Sequence, residues 1–240
     1  MRILASSESL IERLVGQVIA SADSDFSDFS GYGWDDRAGL PQVFVCQNSE
    51  LHSGWELGII EEFANSSQFD RLKLWQGMPV FALALDGSGF HGQNGRVWHT
   101  GPGNLYLSMA IPIRMDVAKA AELQVLPAQT IIRVLQNRWL LGMHAEIKVP
   151  NDIIVIRDDE RSPRKLAGIL TELRVRGSQI TQVRYGIGIN IKHAPDIDDP
   201  KHLPAAYLLN CVDLGDADAC YRFMLTHILN DIIEHMAEHE

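Results

Sequence analysis

The chain has 240 residues, 46% of them hydrophobic and 22% charged, which is enough apolar material for one large packed domain and argues against disorder. Its net charge of −10 and sequence pI near 5.3 exclude a generic nucleic-acid binder, because neutralising phosphates needs clustered Lys and Arg. No apolar run approaches the ~18 residues that span a bilayer, and Met1-Arg2-Ile3-Leu4 leads into Ser6, Glu8 and Glu12 without a signal-peptide core, so a cytoplasmic protein is expected.

Residues 2–20 predict a short strand and then a helix, with Ile11, Leu14, Val15, Val18 and Ile19 at helical spacing. Residues 21–39 carry Asp23, Asp25, Asp28, Asp35 and Asp36 among serines and glycines and read as a polar loop. On this basis residues 1–40 are expected to be an N-terminal extension and 41–240 the main domain; no basic winged-helix pattern precedes it. A buried strand is expected at 43–46. A helix is expected at 55–63, with Leu57, Ile60 and Phe63 facing one way. Strands follow at 79–85 and 105–112. Residues 117–139 predict a helix in two pieces around Pro127, since proline removes a helical hydrogen bond. Three strands are expected at 153–156, 168–175 and 183–191, with turns at 157–164 and 176–178. Residues 220–236 form an amphipathic helix with Phe223, Leu225, Ile228, Leu229, Ile232 and Ile233. Strands outnumber helices and short turns join them. The fold class is therefore α/β (α+β), a mixed, largely antiparallel sheet flanked by helices, rather than a regular βαβ repeat. Cys46, Cys211 and Cys220 have neither metal-ligand nor redox spacing and suit a reducing compartment.

Gly87-Ser88-Gly89-Phe90-His91-Gly92 fits G-x-G-x-x-G after a strand, but the following residues 93–104 hold too much Gly and Pro for the helix that a dinucleotide fold requires. A long glycine-rich loop remains, able to bring backbone N–H groups to an anion or simply to connect two strands. Lys148-Val149-Pro150-Asn151-Asp152 precedes a strand, where Asn and Asp can close a turn. Arg164-Lys165-Leu166-Ala167-Gly168-Ile169-Leu170 opens the next strand, where a lysine is ordinarily solvated. Gly186-Ile187-Gly188-Ile189-Asn190 sets two glycines on alternate strand positions, which often marks close approach by a ligand or another backbone.

Taken in order, the glycine-rich loop ending in Gly95-Arg96-Val97-Trp98, then Gly103-Asn104-Leu105-Tyr106-Leu107-Ser108, Lys148-Val149-Pro150-Asn151-Asp152, Lys165-Leu166-Ala167-Gly168-Ile169-Leu170 and Gly186-Ile187-Gly188-Ile189-Asn190 resemble the catalytic domain of biotin protein ligases, over about residues 43–191. The resemblance implies the class II synthetase-like fold of the biotin/lipoate protein ligase family. It implies binding of biotin, or another carboxylic acid, with ATP and Mg, formation of an acyl-adenylate, and transfer to a lysine of a biotinyl or lipoyl carrier domain. It places Lys165 against the ligand carboxylate and the α-phosphate, where a compact cation can follow developing charge. Asp152 would act with it and hold the metal. Arg96, Trp98, Lys148, Asn151 and Asn190 would line the nucleotide site. Ser49, Gly87, Gly89, His91, Gln93 and Gly168 would line the acyl site.

Departures from the family pattern fall on the acyl side. The loop usually reads Gly-Arg-Gly-Arg-x-Gly-Arg after a Gln; here His91 and Gln93 replace two arginines and Gly87 stands near the Gln position. Val149 replaces the usual Trp. The family's Asp-Ser-Thr-Asn segment is matched to Asn48-Ser49-Glu50-Leu51, which brings an acid, Glu50, into a pocket for a neutral ring or a carboxylate. Neither the helix-turn-helix domain nor the C-terminal β-barrel of many relatives is seen in the sequence. Three functions stay open: an ATP-dependent acyl–protein ligase, a non-catalytic ligand- or carrier-binding relative, and an ATP-independent acyltransferase, for which Cys46 is the candidate thiol.

Overall fold

The structure is a computed structural model that describes residues 1–15, 17–22, 42–47, 50–138, 143–159, 162–195, 203–208 and 217–239. Alternating or continuous apolar runs make strands β1 (Arg2–Ala5), β2 (Gln17–Ala22), β3 (Gln42–Gln47), β4 (Leu57–Glu61), β5 (Val80–Ala84), β6 (Leu105–Asp116), β7 (Met143–Lys148), β8 (Asp152–Arg157), β9 (Arg164–Arg176) and β10 (Gln179–Ile189). They join in one sheet in the order β2-β3-β1-β4-β5-β6-β10-β9-β8-β7. Only the β1–β4 and β4–β5 pairings are parallel among the described strands. The mixed, largely antiparallel architecture expected from the sequence is the one found.

Pleating sends successive side chains to opposite faces. On β1, Ile3 and Ala5 join the larger core while Leu4 joins a smaller one on the other face. The larger core is covered by the helices α1 (Glu8–Leu14), α3 (Ala120–Arg138) and α4 (Ala217–Ala237), through Leu10, Ile11, Leu123, Ile131, Ile228 and Ile232. The smaller one takes in Leu72 of the 3-10 turn Leu72–Leu74, which follows α2 (Gln68–Arg71), together with Trp75, Leu57, Val80 and Ala110.

Four local expectations are corrected. Residues 57–61 are strand β4, not helix: Leu57, Gly58, Ile59 and Ile60 are all buried, and a short run buried on both faces has no periodicity to separate strand from helix. Val18 and Ile19 belong to β2, so the first helix ends at Leu14. Strand β7 went unexpected although Met143 and Ala145 are buried and His144 and Glu146 exposed, a clear two-residue alternation. Pro127 lies inside one continuous helix α3. The carbonyl it leaves without a helical donor is that of Leu123, four residues back, and the Tyr185 hydroxyl donates to that oxygen at 2.8 Å. Burial pushes the Tyr185 phenol far above its usual range, so it stays a donor. The polar stretch 23–39 lies outside the described residues. The boundary expected at residue 40 coincides with no edge of the sheet, because β1 pairs with β3 on one side and β4 on the other.

Candidate functional site

The glycine-rich segment between β5 and β6 folds as a small hairpin, not a helix. Trp98 N–H donates to the Phe90 carbonyl at 2.9 Å and Gly92 N–H to the Arg96 carbonyl at 2.8 Å. A single 3-10 turn at Gln93–Gly95 reverses the chain, with Asn94 and Gly95 both at positive φ, 58° and 71°. Asn-Gly tolerates that left-handed pair better than most dipeptides.

The hairpin lays the Trp98 indole over β9 and β10. There Gly168 and Gly188 are register partners. A Cβ on Gly168 would come within 2.6 Å of the indole, and one on Gly188 within 2.7 Å. The two glycines therefore make a seat for an aromatic ring, and Gly186 does the same for Phe69. Side-chain rings fill the Cβ spaces of the β10 glycine pair, and both glycines also line the cavity described below. Arg184, almost fully buried, fixes Phe69 by donating to its carbonyl and lying 4.3 Å over its ring.

Lys165 at the start of β9 and Asp152 at the start of β8 form the centre. Lys165 Nζ lies 2.6 Å from Asp152 Oδ1 and 5.0 Å over the Trp98 ring. The neighbouring Asn151 uses its Nδ2 to donate to the Ile169 carbonyl at 2.7 Å, which locks the turn that follows the cis Val149–Pro150 peptide onto β9. These residues open on a cavity of about 700 Å³ that is also lined by Arg96, Trp98, Lys148 and Asn190, and by His91, Gln93 and Gly168. Its described lining carries Arg96, Lys148 and Lys165 against one carboxylate, Asp152, a balance that favours a polyanion.

Some expected residues are not brought there. Gly87 packs on Ala64, where a Cβ would meet the Ala64 carbonyl at 2.6 Å, and Gly89 is a turn residue at φ 70°; neither lines the cavity. Ser49 and the Cys46 side chain lie outside the described residues. Glu50 is exposed and off the cavity, its carbonyl accepting from Asn230 Nδ2 on α4.

A further segment lining the cavity follows β4, and it was missed with that strand. Ser67 caps α2, its hydroxyl accepting from Asp70 N–H, and Gln68 is 2% exposed; both line the cavity. Gln68 Nε2 donates to Glu61 Oε2 at 2.5 Å, and Arg71 forks onto the same carboxylate. The capping pattern Ser67-x-x-Asp70 was the available signal. Asp70 also holds His91, Oδ2 to Nε2 2.8 Å. Burial by itself would push the His91 pKa down, yet the bonds to Asp70 and the Gly92 carbonyl and the Asp70 charge outweigh it, so the net direction is up. A second missed residue is the fully buried Asn104. Its Oδ1 accepts from the Ile191, Lys192 and His193 N–H groups, and its Nδ2 donates to the His193 carbonyl at 2.9 Å, clamping the chain just after Asn190.

The profile of the biotin/lipoate A/B protein ligase family matches residues 65–190. The chain belongs to that family. Among curated relatives, the bifunctional ligase/repressor BirA of Bacillus subtilis is 31% identical over 113 residues, 47% of this chain and 32% of that protein. The biotin–[acetyl-CoA-carboxylase] ligase of Paracoccus denitrificans is 28% identical over 134 residues, 55% of this chain and 53% of it. The matched part thus spans between a third and about half of these relatives. Among solved structures, the biotin protein ligase of Aquifex aeolicus in complex with biotin and ATP superposes with a TM-score of 0.54 at 20% identity, covering 75% of this chain and 72% of that one. The Leishmania major enzyme in complex with biotin gives 0.52 at 18%, covering 78% and 81%. These likenesses show the fold. The described helices of this family member include none long and apolar enough to cross a membrane.

Proposed function

We propose that the chain is an ATP-dependent acyl–protein ligase of the cytoplasm that activates biotin or another carboxylic acid and passes it to a lysine of a biotinyl or lipoyl carrier domain. The observation that carries this reading is the convergence of Lys165, Asp152, Asn151, Arg96, Trp98, Lys148 and Asn190, far apart in sequence, on one cavity. In the reaction the acid's carboxylate oxygen bonds to the α-phosphorus of ATP and pyrophosphate leaves. The carrier lysine then displaces AMP from the mixed anhydride.

Negative charge grows on the α-phosphoryl oxygens as the first bond forms, and Lys165 is the cation placed to meet it. Asp152 holds the Lys165 ammonium at 2.6 Å before the nucleotide arrives, so little reorganisation is needed. Arg96 and Lys148 bind the remaining phosphates, and the Trp98 indole walls the base side. Asp152 meets Lys165 through Oδ1, and its other oxygen fits Mg, which takes one or two protein carboxylates together with phosphate oxygens. Asp152 would hold that ion, and the ion would add charge neutralisation at the phosphates.

The test is ATP–pyrophosphate exchange across biotin, lipoate and medium-chain fatty acids. Exchange with at least one acid is expected, and Lys165→Ala is expected to lower its rate by ~10²–10³, as for loss of one charged transition-state contact. Exchange with none of them, or an undiminished rate in Lys165→Ala, overturns the reading.

A second reading, a non-catalytic binder, is favoured by one observation: Gln93 and His91 line the cavity, at positions where the resemblance implies arginines. Replacing both together with arginine strengthens ATP binding if the rest of the site is intact; unchanged affinity favours the non-catalytic reading. An ATP-independent acyltransferase needs a thiol beside Lys165, and no cysteine is among the described residues lining the cavity.

A further inference from the structure

Away from the cavity, the first turn of α3 meets the end of α4, and three metal-capable side chains converge. Glu122 Oε1 lies 3.1 Å from His235 Nε2 and 3.7 Å from His239 Nε2. One donor atom from each residue falls within 4.8 Å of the other two. We propose that Glu122, His235 and His239 bind a divalent transition-metal ion, of the Zn²⁺ class, that staples the C-terminal helix to α3.

The spacing comes first. His235 and His239 are four residues apart, which puts both imidazoles on one face of the chain, their rings stacked at 4.4 Å. The tautomer follows from the backbone. His239 Nδ1 lies 2.9 Å from the His235 carbonyl, so Nδ1 carries the proton and Nε2 turns its lone pair toward Glu122. Next, His235 Nε2 is sealed from solvent and makes no hydrogen bond among the described residues, although Glu122 Oε1 is 3.1 Å away. A buried nitrogen without a partner is the exception in folded proteins, and a bound cation supplies one. The carboxylate is also divided: Lys119 Nζ takes Glu122 Oε2 at 2.7 Å, which leaves Oε1 to face the histidines.

Size and softness then choose the ion. Ligand atoms ~2.0–2.2 Å from a tetrahedral zinc stand about 3.3–3.6 Å apart. The two Glu122–histidine separations, 3.1 and 3.7 Å, bracket that edge, so small side-chain adjustments complete it. Two imidazoles and one carboxylate suit Zn²⁺, Co²⁺, Ni²⁺ or Cu²⁺, whereas Mg²⁺ and Ca²⁺ prefer all-oxygen sets. Water takes the fourth position. None of the three residues lines the nucleotide cavity, so this site stands apart from the proposed reaction.

The experiment is calorimetric titration of the full chain with ZnCl₂, with MgCl₂ as control, beside thermal melts in each salt and in EDTA. One equivalent of zinc is expected, with a higher Tm in zinc than in EDTA and no such shift in magnesium. His239→Gln, at an exposed helix end, is expected to weaken zinc binding at least tenfold while melting like the parent in EDTA; Glu122→Gln does the same. His144→Gln, at an exposed histidine on β7, leaves binding unchanged. Zinc binding that survives His239→Gln and Glu122→Gln, or that is lost in His144→Gln instead, overturns the proposal, as does a parent chain that takes up no zinc. Cobalt loading gives a second readout: a tetrahedral visible band in the parent that disappears in His239→Gln supports the site, and its persistence there rejects it.

Discussion

His91 shows how one contact changes what a side chain can do. At an arginine position a neutral imidazole supplies no charge, and the sequence alone leaves it neutral near pH 7. Asp70 favours the charged form, its bond and charge raising the pKa from the ordinary 6.5 against the downward pull of burial. A histidine whose folded pKa is raised contributes stability that is fully present below the unfolded value and is lost as pH rises through the folded one. Stability and ATP affinity are therefore expected to fall from pH 6 to pH 8 more steeply in the parent than in His91→Gln, measured by denaturant melts and by nucleotide titration at both pH values. Equal slopes in the two proteins would contradict the charged role. The residue types of the site were legible because Lys165, Asp152, Asn151, Arg96 and Trp98 sit in local motifs. The Asp70 partner was not, since it lies 21 residues from His91 and nothing local marks the pairing.

At the scale of elements, α4 was legible from its helical periodicity, whereas β4, apolar throughout, was not. A wet face alone did not decide it: β7 alternates clearly and went unexpected, while β5, buried throughout, was expected as a strand. With β4 expected as a helix, the segment after it drew no attention, although Ser67 and Gln68 there line the cavity. Pro127 is the converse case. Its effect on a helix is local and predictable, and the remedy, the Tyr185 hydroxyl on the Leu123 carbonyl, comes from a strand 62 residues away. Tyr185→Phe keeps the ring packing and removes only that donor. It is expected to cost about 1–3 kcal/mol, the usual penalty for leaving a buried carbonyl unpaired. The change should appear as a lower urea midpoint at constant m-value. A midpoint unaltered in Tyr185→Phe would show that α3 tolerates the proline unaided.

At the scale of the molecule, the first strand sits inside the sheet. Ile3 is fully buried in the larger core, and β1 bridges β3 and β4. Ile3→Ala is therefore expected to destabilise the whole domain by ~2–4 kcal/mol, as at other buried aliphatic sites, with a single cooperative melt at lower Tm rather than local fraying. A parent-like Tm would mean that the N-terminal strand is dispensable. Sequence patterning predicts a short strand and then a helix over residues 2–20 and sets both in an N-terminal extension, because the polar run after residue 20 looks like a boundary. Pairing between distant strands leaves no trace in composition.

That placement also has a consequence during synthesis. β1 leaves the ribosome well before its parallel partner, which begins at Leu57, paired with Arg2. At ~5–20 residues per second the wait between them is about 3–11 s. For that interval the apolar residues Ile3, Leu4 and Ala5 stay without their β4 partner, an unpaired edge of the kind that invites wrong pairing.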